Sequence, residues 1–204
     1  MCNITFYRLR GYTYPFQGKE DPHNFTQDIS FDDILNLYNF NRELRQIVFS
    51  AIEQIEVALR SNIINNWAIS SGSHWYLNPA LYRNILRFEA DIDRLSGEIK
   101  RSLEDFINHY RKKYTNPELP PSWMSLEVAS LRLLSSMFKN LKDGQEKEAV
   151  LNHFGLRKID ILESWVWSFA NIRNICAHHG RLWNRRFLAE VIIPKDPSFL
   201  FLKK

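Results

Sequence analysis

Arg173 and His178, with four residues between them, lie in a segment from Asn171 to Arg186 that holds four arginines and no acidic residue. That pairing can break a phosphodiester of RNA without a metal ion. An imidazole titrates near neutrality, so it can take a proton from a ribose 2′-hydroxyl or return one to a leaving 5′-oxygen. A guanidinium can grip the phosphate and stabilise the charge that builds on its oxygens. The attacking hydroxyl belongs to the substrate, so neither a metal, a cofactor nor a protein nucleophile is needed. Asn174, one turn before His178, is placed to orient the imidazole or to bind a phosphate oxygen.

Read as a helix at 100° per residue, Trp165, Phe169, Ile172 and Cys176 fall within about 60° of one another and form a core face. Asn171, Asn174, His178, Arg181 and Arg185 follow at steps of three and four and line the opposite side, with Arg173 at its edge. A solvent face normally mixes both charge signs, whereas this one carries only cations. We therefore expect Asn171, Arg181, Arg185 and Arg186 to contact RNA phosphates. The plainer alternative for the arginines is a helix C-terminus favoured by its dipole. The plainer one for His178 is a helix-terminal histidine beside its C-cap glycine, Gly180. His179 satisfies a looser Arg-x5-His spacing, but it is rotated by 100° from Asn174 and His178. Glu56 and Arg60, one turn apart, read either as a local ion pair or as support in which Glu56 orients Arg173 or His178.

The elements that must position these groups are helical. The chain has 204 residues, 45% of them hydrophobic and 14% aromatic, with 7 Gly and 8 Pro. That composition supplies a packed core and disfavours a turn-rich β fold. The net charge is +4, and setting aside the four arginines of Asn171–Arg186 leaves basic and acidic residues equal at 23 each. The whole positive excess thus matches one short segment, where a phosphate backbone would be drawn. No window approaches a membrane span, no signal peptide opens the chain, and two cysteines make neither a disulfide framework nor a zinc site. The chain reads as cytoplasmic.

Along the sequence, residues 1–30 read as an irregular aromatic strap (Phe6, Tyr7, Tyr12, Tyr14, Phe16). Ser30-Phe31-Asp32-Asp33 then caps a helix reaching about Asn66, with a break near Asn39 to Asn41. After a loop at Ser70–Ser73 and Asn78-Pro79, a second long helix carries an apolar stripe from Ile85 to Tyr110. A third runs from about Trp123 to Leu141 and a short one from Gln145 to His153. The last spans Lys158 to at least His178, within a catalytic region of residues 157–186. Val191-Ile192-Ile193-Pro194 reads as a short extended tail. One all-α domain covering residues 1–204 is the simplest organisation.

The run Asn171-Ile172-Arg173-Asn174-Ile175-Cys176-Ala177-His178-His179-Gly180-Arg181-Leu182-Trp183-Asn184-Arg185 resembles the signature of the abortive-infection AbiD/AbiF-like family. Phe6-Tyr7-Arg8-Leu9-Arg10-Gly11-Tyr12, Leu37-Tyr38-Asn39-Phe40-Asn41-Arg42-Glu43-Leu44-Arg45, Ile52 to Arg60 and Leu119-Pro120-Pro121-Ser122-Trp123 fit in the family's order, over residues 4 to about 190. The resemblance implies a HEPN-like helical bundle, phage defence by abortive infection, and Arg-x4-6-His endoribonuclease chemistry with Arg173 and His178 as the pair. It is also similar to the HEPN nuclease halves of type VI CRISPR effectors, and AbiF-like members are associated with a small structured RNA. Members usually carry a further helical stretch before Phe6 and continue beyond the position of Lys204. HEPN ribonucleases usually build one composite site from two motifs, and this chain has one clear motif, so the resemblance implies a homodimer with the Asn171/Asn174/His178 faces apposed. The rival readings are a non-catalytic protein holding a structured small RNA, and a protein-interaction module in which the motif is a dimer seam.

Overall fold

The computed structural model describes residues 4–18, 24–187 and 191–194. Among them the fold is all-α, without a strand. Its helices are α1 (Phe6–Thr13), α2 (Phe31–Ser71), α3 (Ile85–Arg101), α4 (Asp105–Lys113), α5 (Ser122–Ser125), α6 (Leu131–Asn140), α7 (Gln145–His153) and α8 (Ile159–Ala177). Short 3-10 turns occupy Tyr14–Phe16, Trp75–Leu77 and Pro79–Leu81. No helix among the described residues is long and apolar enough to cross a membrane. The described residues of Met1–Ile52 and Ile172–Phe187 form one compact unit, and those of Glu53–Asn171 and Leu188–Lys204 form another.

In the first unit, α2 begins where the sequence expects it. Ser30 and Asp33 close a reciprocal cap: the Asp33 amide donates to Ser30 Oγ at 3.2 Å, and the Ser30 amide donates to the Asp33 carboxylate at 2.9 Å. The bonds that the Ser30 hydroxyl and the Ser30 amide donate to it hold the Asp33 carboxyl below its ordinary range. Two expectations fail here. The opening is not irregular, because Phe6–Thr13 is helical. Eight residues are too few to sustain a helix alone, so tertiary contacts must hold α1; they include its buried Tyr12, 3% exposed. Nor does α2 break near Asn39 to Asn41.

Asn41 explains why α2 is continuous. An asparagine can interrupt a helix by bonding its own backbone, but this one is buried and bonds elsewhere. Its amide nitrogen donates to the Tyr12 hydroxyl at 2.7 Å, and its amide oxygen accepts the backbone N–H groups of Leu182 and Trp183 at 2.9 and 3.0 Å. One side chain therefore ties α1, α2 and the segment after α8. Asn41→Ala is expected to lower unfolding stability by about 1–3 kcal/mol, since it leaves buried donors without acceptors. A urea midpoint unchanged from wild type would contradict this role.

The second unit holds the larger core. Trp67 packs against Trp75 and Phe138, with ring centroids 5.5 and 6.4 Å apart. Tyr76, Tyr82, Leu95, Ile107, Leu126, Leu134 and Val150 are fully or almost fully buried with them. The expected helix from Ile85 to Tyr110 is in fact α3 and α4. The chain turns extended at Ser102, and the Ile99 carbonyl accepts both the Ser102 amide and the Arg111 guanidinium. The expected helix from Trp123 to Leu141 likewise divides into α5 and α6. Ser130 caps α6 through the Leu133 amide, and Glu98 takes both the Ser130 amide and hydroxyl, which fixes the break. Across α3 and α6, Ser136 donates to the buried carboxylate of Asp91 at 2.9 Å.

Val191–Pro194 pairs with no strand among the described residues. The Ile192 amide donates to Ser164 Oγ at 3.1 Å, and its carbonyl accepts from Trp165 Nε1 at 2.9 Å, so side chains of α8 hold the tail. The remainder of that tail, like residues 1–3 and 19–23 of the strap, lies outside the described residues.

Candidate nucleic-acid interface

Helix α8 ends within one residue of its expected limit, and the way it ends decides where the motif sits. The backbone at His179 is left-handed, with φ 55°. The Gly180 amide reaches back to the Ile175 carbonyl at 2.7 Å and the His179 amide to the Cys176 carbonyl at 3.0 Å. This paired 6→1 and 5→2 closure is a Schellman cap. The left-handed position expected of Gly180 thus belongs to His179. The glycine is needed for a different reason: a Cβ on it would lie 2.9 Å from Ile175 Cγ2 and 3.1 Å from the Ile175 oxygen. His178 is therefore the last residue before the reversal and is exposed.

The cap divides the expected polar stripe. Asn174 and His178 keep their helical spacing, with the His178 amide bonded to the Asn174 carbonyl at 3.0 Å. Arg181 and Arg185 do not continue it, because the chain has left the helix. Arg181 instead turns to the carbonyl of Gly11, and Leu182 is buried, while Arg185 and Arg186 are exposed. Arg173 is half-buried, and its guanidinium stands 5.8 Å from the ring centroid of Phe49. Asn171, which belongs to the second unit, uses its amide within α8, donating to the Trp167 carbonyl at 2.9 Å. In that same unit Glu56 and Arg60 form the local ion pair at 2.8 Å, and Arg60 also donates to the Ala129 carbonyl at 3.0 Å.

Within the first unit an open groove of about 650 Å³ borders the end of α8. Its α2 wall carries Tyr38, Arg42, Arg45, Gln46 and Phe49, Arg8 comes from α1, and Cys176, Ala177 and His179 close it. Tyr38, Arg42, Arg45 and Phe49 recur at i, i+4, i+7 and i+11, one face of a helix, with arginine where packing alone would select apolar residues. No carboxylate is among the lining residues. Arg8 and Arg45 each donate one bond at 3.4 Å to carbonyls of the α8 cap, His179 and Gly180 respectively. Burial pushes the Cys176 thiol up, with Arg45 partly offsetting it, so the sulfur stays protonated and unreactive.

His179, rather than His178, lines this groove, and Arg173 reaches its margin through Phe49. The expectations from the sequence did not include Arg8, Arg42 or Arg45 as site residues. Their signal was present in the two arginine-bearing segments near Tyr7 and Tyr38. Among the described residues no group of three or more His, Cys, Asp or Glu is arranged to hold a metal ion.

A family model described as Abi-like protein matches residues 1–184. No curated protein and no solved structure matches the chain.

Proposed function

We propose, from the premise that the chain belongs to the Abi-like protein family, that it is a metal-independent endoribonuclease of HEPN type acting in phage defence by abortive infection. The observation that carries this reading is the end of α8. An exposed imidazole and a half-buried guanidinium stand five residues apart at the end of α8, beside a cationic groove without a carboxylate among its lining residues. The 2′-oxygen attacks phosphorus as His178 takes its proton, and the P–O5′ bond breaks as the leaving oxygen is protonated. Arg173 stabilises the charge on the phosphoryl oxygens in between. The products are a 2′,3′-cyclic phosphate and a 5′-hydroxyl. One imidazole cannot hold both proton positions in a single step, so a homodimer that apposes two motifs is the working form, in the cytoplasm where RNA is met.

The groove also supports a second reading, a protein that holds a structured small RNA without cutting it. Labelled RNA incubated with the purified chain in EDTA separates the two. Cleavage lost in both His178→Ala and Arg173→Ala, with binding kept, supports the nuclease. Tight, salt-sensitive binding without cleavage by the wild type supports the holder. Neither binding nor cleavage rejects both and leaves a protein-interaction module.

A further inference from the structure

The cationic wall of the groove has more donors than the described residues engage. Arg42 makes no hydrogen bond or ion pair with a described residue. Arg45 is 6% exposed, bonds the Gly180 carbonyl at 3.4 Å and also interacts with the Tyr12 hydroxyl, whereas Arg8 offers one long bond from an exposed guanidinium. Capping the carbonyls of α8 accounts for one donor of each. It does not account for a third arginine, nor for three arginines lining one groove with no carboxylate among its described lining residues. Clustered cations repel one another unless an anion with several charges joins them.

We propose that this groove seats an unpaired RNA nucleotide next to the scissile bond, with Arg8, Arg42 and Arg45 on its phosphates, Tyr38 and Phe49 against its base or sugar, and His179 at its edge. The inference rests on the ribonuclease reading and adds the substrate form: single-stranded rather than duplex RNA. The volume, about 650 Å³, lies within the roughly 300–1,000 Å³ common to ligand pockets. Phe49 joins the groove to the chemistry, because one ring both lines the groove and carries the Arg173 guanidinium. A strand held along α2 would therefore pass beside Arg173. Bases in a duplex stack on each other and present no face to a tyrosine, whereas unpaired bases do.

The test compares Arg42→Glu with Arg101→Glu, an equal change of charge on an exposed position of α3, by binding of a labelled single-stranded oligoribonucleotide and of its duplex. Both side chains are exposed, so folding is expected to survive, and circular dichroism checks it. Arg42→Glu is expected to weaken single-strand binding by roughly tenfold or more, with Arg101→Glu close to wild type. Arg42→Ala is expected to reduce the salt slope of binding by about 0.7. Equal losses in the two charge reversals, or duplex binding as tight and as sensitive to Arg42, would overturn the groove while leaving a cleaving wild type intact. A wild type that neither binds nor cuts RNA would overturn the ribonuclease reading and the groove together.

Discussion

Replacing His178 by alanine is expected to slow RNA cleavage by about 10²–10⁴-fold, the usual contribution of a positioned acid–base group, while RNA affinity changes little. The distinction follows from geometry: His178 is exposed at the helix end, outside the groove, whereas His179 lines it. His179→Ala is therefore expected to do the reverse, weakening binding more than turnover. Arg173 is a more demanding case, because its guanidinium also packs on Phe49. Arg173→Ala removes that packing with the charge, so Arg173→Lys is the better probe. Lysine keeps the cation but loses the planar fork that engages two phosphate oxygens, and a large loss of rate with unchanged thermal stability is expected. If His179→Ala abolishes turnover at saturating RNA and His178→Ala does not, the imidazoles exchange roles.

The second large effect is on stability and lies far from the motif in sequence. Lys147 is wholly buried, and its ammonium donates to Glu163 at 2.7 Å and to the Leu141 carbonyl at 2.9 Å, 5.1 Å from the ring centroid of Phe138. Lys147→Ala strands a largely buried carboxylate and a backbone carbonyl, and is expected to cost about 3–5 kcal/mol. Replacing Lys147 and Glu163 together, as in Lys147→Met with Glu163→Leu, is expected to recover part of that loss, because Asp143, 3.6 Å from the ammonium, is exposed and keeps Arg83, leaving only the Leu141 carbonyl without its donor. Urea denaturation reads both, and a single variant within about 1 kcal/mol of wild type would show that water reaches the pair. Burial holds the Lys147 ammonium below the ordinary lysine range, with Glu163 opposing that shift. The native state then releases this proton at lower pH than the unfolded chain. Its contribution to stability rises with pH through that alkaline interval, and Lys147→Met should flatten it.

What the sequence made legible follows from which interactions are local. The all-α class, the Ser30–Asp33 cap and the limits of α7 and α8 rest on periodicity and capping residues within a turn of one another. The divisions between α3 and α4 and between α5 and α6 were hidden, because the apolar spacing continues across Ser102 to Glu104 and across Glu127 to Ser130. There the chain is turned by Arg111 on Ile99 and by Glu98 on Ser130, bonds that span 12 and 32 residues. Helix α1 was hidden for the same reason, since Tyr12 meets Asn41 only once the chain has folded. Of the candidate site, the cationic end of α8 was readable from composition. The groove was not, because Arg8, Arg42, Arg45 and His179 come from three separate stretches. The turn at His179 also removes Arg181 from a stripe that spacing alone would have extended.

The proposed reaction is a transesterification by the substrate's own hydroxyl, and the ends of the cut RNA record which oxygen attacked. Purified chain, incubated with labelled RNA in EDTA, should leave 2′,3′-cyclic phosphate and 5′-hydroxyl termini, and should leave RNA carrying 2′-O-methyl groups at the cut sites intact. Termini bearing 5′-phosphate, or cleavage that stops in EDTA and returns with a divalent cation, would contradict it.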